Sequence, residues 1–173
     1  MSIRFRPLPI HLALLALIVV AACGQSPPAD PTATASPLEG VWSMTASDPG
    51  DGSPLIDPSQ AGLYIFAEGY YSGVYAPGPD PRVPSETMFQ PTPDEMVVQY
   101  ETIIVNTGTY EISGSTVTFR PIIAKSPGFV GGQATAEFQV EGETLTLTFQ
   151  TIVATDGTSA PDVEGSLTFR RVE

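Results

Sequence analysis

Few side chains in this sequence can carry covalent chemistry. There is one cysteine, Cys23, and one histidine, His11, and both fall within the first 23 residues. A Ser–His–Asp or Cys–His site needs a histidine to take the nucleophile's proton. A zinc site of the usual kind needs histidine or cysteine ligands. Once the segment ahead of Cys23 is removed, neither can be built, and no G-x-S-x-G elbow occurs anywhere. The remaining polar groups have ordinary explanations. Asp94 and Glu95 stand where a helix start uses carboxylates. Asp48-Pro49-Gly50-Asp51-Gly52 could offer oxygens to calcium, but it lacks the full ligand ladder and reads as a turn. Arg120 and Lys125 could meet a ligand carboxylate, and read more simply as a wet strand face and a loop. The sequence predicts no catalytic group, no metal and no cofactor. Tyr64, Phe66, Tyr70, Tyr71 and Tyr75 crowd into two short stretches. They could line an apolar pocket or simply fill a core, and both readings stand at this point.

The chemistry available to Cys23 follows from what precedes it. Arg4 and Arg6 are the only charges before it, and residues 11–22 form an apolar run. A membrane-spanning helix needs roughly 20 apolar residues, so this run is short for a span and suits the core of a secretory signal. Val20-Ala21-Ala22 then supplies small residues at the cleavage position. Val20 to Cys23 resembles the lipobox of bacterial lipoproteins. The resemblance implies a signal peptide over 1–22, and cleavage leaving Cys23 as an acylated first residue. It also implies attachment to a lipid bilayer through acyl chains, palmitate among them, since two or more chains hold where one does not. The expected location is the bacterial cell envelope, outside the cytoplasm. Gly24, where an aspartate would argue otherwise, favours the outer membrane in a Gram-negative cell.

Removing residues 1–22 leaves five basic against 19 acidic residues, a net charge of −14. Nucleic-acid binding rests on neutralising phosphates with lysine and arginine, so no nucleic-acid partner is expected. Docking on anionic lipid through a basic patch is disfavoured on the same ground. With one cysteine no internal disulfide can form. About 150 residues make one domain the expectation.

Residues 24–37 are Pro, Ala, Ser and Thr with a single charge at Asp30. They form no core and read, with Cys23, as a tether over 23–37, reaching roughly 3 Å per residue. The folded domain is expected over 38–173. Period-two alternation recurs along it: Val117 and Phe119, then Ala134 to Val140, Leu145 to Phe149, and Leu167 to Phe169. Such alternation buries one face and wets the other. Glu68-Gly69, Ser113-Gly114 and Glu141-Gly142 mark hairpin turns. Six prolines between Pro77 and Pro93 forbid a central strand there, and a loop of this length is mobile or functional. At Thr92-Pro93-Asp94-Glu95 a capping box opens a helix predicted over 93–105, with Met96, Tyr100, Ile103 and Ile104 on one face. The count is about eight strands, and closing them into a barrel removes the edges.

Gly40-Val41-Trp42 resembles the G-x-W of the first strand in lipocalin-like (calycin) proteins. In that family a basic residue from the last strand lies over the tryptophan. Arg170 and Arg171 stand in that region, and Arg171 is the one assigned, with Gly40 and Trp42, to a structural role. The second motif of the central group is missing, because Thr155-Asp156 is followed by Gly157. The resemblance implies an all-β, eight-stranded antiparallel up-and-down barrel with one short helix, binding a small hydrophobic or amphipathic ligand. The expected lining is Trp42, Tyr110, Phe119, Phe138, Phe149 and Phe169, with loop 77–93 as a lid. Two other readings follow from the same residues. One is a packed barrel serving as a protein-interaction or envelope-structural module. The other is a carboxylate- and tyrosine-based isomerase or cyclase.

Overall fold

The computed structural model describes residues 36–58, 60, 62–161, 163 and 165–172. Cys23, the signal segment and the tether up to residue 35 lie outside the described residues. Eight strands follow one another: β1 (Gly40–Asp48), β2 (Leu63–Ala67), β3 (Tyr70–Tyr75), β4 (Ile104–Ser113), β5 (Thr116–Ala124), β6 (Gln133–Glu141), β7 (Thr144–Val153) and β8 (Gly165–Arg171). Each pairs antiparallel with the next, and β8 returns to β1, closing the barrel. The architecture is the closed barrel of eight strands that the alternation predicted, in the up-and-down order that the resemblance implied.

The turns divide the barrel into two unlike ends. The β2–β3 connection is two residues, Glu68 (φ 49°) and Gly69 (φ 80°). Positive φ at both central positions is what a tight hairpin with the strands' own twist requires. Residues 114–115 and 142–143 make equally short turns at the same end, where β1 begins and β8 ends. The opposite end carries every long connection: 49–62, 76–103, 125–132 and 154–164.

The end with short turns is filled. Leu38, Trp42, Val117, Ala136, Leu145 and Leu147 have no solvent exposure at all. Burying a side chain of the leucine or phenylalanine size stabilises by about 1.5–3 kcal/mol, so this half holds most of the fold's cohesion. Its closure is polar as well. Trp42 Nε1 donates to the Leu38 carbonyl at 2.7 Å. The Arg171 guanidinium lies 4.0 Å from the Trp42 ring centroid. It also donates to the Glu39 carbonyl at 2.6 Å and to the Pro37 carbonyl at 3.3 Å. The Glu39 carboxylate accepts from Tyr110 Oη at 3.1 Å and from the Glu68 backbone N–H at 3.0 Å. Arg170 points to solvent.

The helix α1 (Pro93–Glu101) opens as the sequence predicts. Thr92 Oγ1 accepts from the Glu95 N–H at 3.3 Å, and the Glu95 carboxylate accepts from the Thr92 N–H at 2.7 Å. It ends earlier than 105. Thr102 is its C-cap, and Ile104 and Val105 already belong to β4, paired with Tyr75 and Val74. Two forces decide this boundary. Ile103, Ile104 and Val105 are β-branched and lose rotamer freedom in a helix. Their pairing also covers the upper part of β3, which would otherwise be an open edge. The predicted helical face is not an inward one either. Met96 is 50 % and Tyr100 49 % exposed, and α1 buries no residue fully.

Candidate functional site

The end with long connections holds a cavity of about 540 Å³ inside the barrel. That is within the range of about 300–1,000 Å³ typical of small-molecule sites. Each wall comes from a strand end near a long connection. β2 and β3 supply Tyr64 and Tyr75, and β4 supplies Ile104 and Asn106. Phe119, Ala134 and Phe149 come from β5, β6 and β7. A 3-10 turn (Pro127–Phe129) and the segment Thr158–Pro161 complete the rim.

Small residues stand at two inward positions here. Ala134 lines the cavity and fills little of it, and Gly73 leaves room for the ring of Tyr64. At Gly73 an added Cβ would lie 2.6 Å from Tyr64 Cζ. Only glycine lets the Tyr64 ring lie across β3 at this height. A bulge at Thr107/Gly108 bends β4 against β5 below the rim. A Cβ at Gly108 would run into the Arg120 carbonyl.

An aromatic cluster forms the floor. Tyr64 stands 5.0 Å from Phe169, 6.0 Å from Phe66 and 6.4 Å from Phe119, centroid to centroid, mostly tilted or edge-on. Such contacts exceed their area burial by about 0.5–1.5 kcal/mol each. Tyr71 meets Phe119 edge-on at 4.8 Å, and its buried hydroxyl has no hydrogen-bond partner. Burial pushes all three neighbouring phenols up: Tyr64 and Tyr71 far above the ordinary value, and Tyr75 to about 12. For Tyr64 the nearby phenols of Tyr75 and Tyr71 add to desolvation. All three are neutral hydrogen-bond donors at physiological pH.

Lys125 is the one charged side chain among the described lining residues. Its Nζ donates to the Tyr100 carbonyl at 3.1 Å and sits 4.6 Å from the Tyr100 ring centroid. It thereby fastens the C-terminal turn of α1 to the rim.

Of the six aromatics expected to line a site, Phe119 and Phe149 do so. Trp42, Tyr110 and Phe169 point inward but belong to the filled core. Phe138 is half-buried against that core and borders a separate shallow cleft between β6 and β7 with Glu137, Gln139 and Thr146. Within the aromatic group of β2 and β3, Tyr64 and Tyr75 line the cavity. Phe66 and Tyr71 lie in the core, and Tyr70 is 59 % exposed. Ile152, Phe129 and Thr158–Pro161 were not anticipated. Loop 77–93 contributes nothing to the lining and is bound to α1 instead. Arg82 donates to the Gln99 carbonyl at 3.1 Å, and Gln99 Nε2 to Ser85 Oγ at 3.1 Å. Residues 158–161 line the rim in place of that loop.

No protein-family model matches this sequence, and no curated protein does. Among solved structures, the chain is similar to a lipocalin-like protein from Bacteroides uniformis, at 15 % identity and a TM-score of 0.45. That match covers 79 % of this chain and 99 % of the other. It is also similar to an uncharacterized protein from Bacteroides eggerthii, at 11 % identity and a TM-score of 0.43, covering 78 % of this chain and 98 % of the other. Likeness at this level assigns no role to any residue, and the reading of the cavity rests on its own geometry.

Proposed function

We propose that this protein is a non-enzymatic carrier or receptor, held at a bilayer by acylated Cys23, whose barrel takes up one small apolar or amphipathic molecule. The observation that carries the reading is the contrast between the two ends. One is filled, with six inward side chains wholly unexposed, while the other holds a half-open cavity of about 540 Å³ lined chiefly by aromatic and aliphatic groups. A barrel meant only as a rigid module has no use for that void, because each unfilled volume forfeits packing energy. The leader, the lipobox-like residues and the tether at 24–37 support delivery to the cell envelope.

The test is native mass spectrometry of the full chain purified from cells, followed by extraction and identification of whatever it carries. A small molecule at one per chain is the expected result. A bare mass, together with no uptake of uncharged fluorescent hydrophobic probes, would refute the carrier reading.

A further inference from the structure

We propose that the molecule held in this cavity carries an uncharged oxygen acceptor, such as a ketone, quinone or ester carbonyl, which accepts hydrogen bonds from the hydroxyls of Tyr64 and Tyr75. This deepens the carrier reading and rests on it.

Three observations lead to the phenols. Tyr64 is 3 % exposed and lines the cavity, and Tyr75 lines it beside Tyr64, with ring centroids 6.2 Å apart. Neither hydroxyl makes a hydrogen bond with any described residue, although Tyr110 and Tyr100 both do. The rings around Tyr64 are Phe66, Phe119 and Phe169, which offer no strong acceptor. Among the described residues the hydroxyl sealed without a partner is that of Tyr71; those of Tyr64 and Tyr75 belong to residues lining the cavity, where a bound molecule can meet them. Phenylalanine would fill the same space but offer no donor to it.

The second line is the glycine beneath the phenol. A Cβ at Gly73 would meet Cζ, Cε2 and Cε1 of Tyr64 at 2.6, 2.8 and 2.9 Å. β3 thus gives up an inward side chain so that the outer half of the Tyr64 ring can lie over it.

The charge of the acceptor follows from what surrounds it. A carboxylate buried among these rings would need a cation, since an unpaired buried charge is strongly disfavoured. The one charged lining residue, Lys125, is engaged at the rim by the carbonyl and ring of Tyr100. The phenols themselves are neutral donors. A neutral carbonyl on an apolar body matches two neutral donors on an apolar wall.

The experiment measures binding of two uncharged fluorescent probes to the full chain. One is prodan, a naphthyl ketone; the other is N-phenyl-1-naphthylamine, which has no oxygen. Each of Tyr64→Phe and Tyr75→Phe is expected to weaken prodan about fivefold, the equivalent of one neutral hydrogen bond, and to leave the amine within about twofold. If the double variant binds prodan as tightly as the parent, the proposal falls while the carrier reading stands. If the parent binds neither probe, both fall together. A readout on the unsubstituted chain guards against a variant that does not fold. The carbonyl stretching band of bound prodan should lie below its position in hexane. A band at the hexane position overturns the proposal.

Discussion

Arg171 does three things at once: its guanidinium covers the Trp42 ring and reaches the carbonyls of Glu39 and Pro37. A cation over an aromatic face contributes about 0.5–2 kcal/mol, and a charged hydrogen bond about 1.5–3. Arg171→Ala is therefore expected to destabilise the fold by about 2 kcal/mol or more. Arg171→Lys should recover only part, because one ammonium cannot span two carbonyls as a planar fork can. Urea unfolding followed by the emission of Trp42, the single tryptophan, measures both. Equal stability of all three proteins would remove Arg171 from the closure of the barrel. Trp42 and the terminal arginine were legible in the sequence because a motif marks them. The cavity ring was not, for a physical reason. Alternation tells which side chains point inward, but not how far along the axis they stand. Phe169 and Phe149 alternate identically, yet one is sealed in the core and the other lines the void. A usable signal was present in the connections. Short glycine turns fall at one end and long ones at the other, so inward residues far from the turns belong to the open half.

Helix α1 shows how a local signal and a tertiary one divide a segment between them. The capping box set its start, and strand pairing set its end. No residue of it is fully buried, so its integrity depends on polar ties more than on packing. Glu95 is central, accepting from the backbone of Thr92 and of Glu86. Those bonds, that of Thr92 first, hold its carboxyl below the ordinary value of 4.5. A depressed carboxyl contributes stability that is complete above the ordinary value and is lost as pH falls through the lowered one. Amide-exchange protection at Thr92 and Glu86 is thus expected to be constant from neutrality to about pH 5 and to drop in more acid solution. In Glu95→Gln the drop should be absent. A profile unchanged by that substitution would show that the carboxylate does not hold the helix start. The strands were legible throughout because each pays for burial on one face only. The length of α1 was not, since β-branched residues at its end weigh little until a neighbouring strand is there to receive them.

For the molecule as a whole, the interior phenols set the alkaline limit. Tyr64, Tyr71 and Tyr75 keep their protons in the native barrel well past the pH, about 10, at which an unfolded chain releases them. The native state then binds more protons than the unfolded one, and stability falls as pH rises above that point. Phenolate absorbance from these three residues should appear together with loss of the far-ultraviolet strand signal. Reversible ionisation with the strand signal intact would contradict their burial. The seam between β1 and β8 has a different consequence, one of timing. Its closing hydrogen bond joins Arg171 to Glu39 across 132 residues. The first strand made on the ribosome waits for the last. Until residues 165–171 have emerged, β1 and β7 each keep a bare edge, and the chain cannot seal around anything. Closure of this barrel therefore waits for β8, and the vulnerable period lasts as long as that strand takes to arrive.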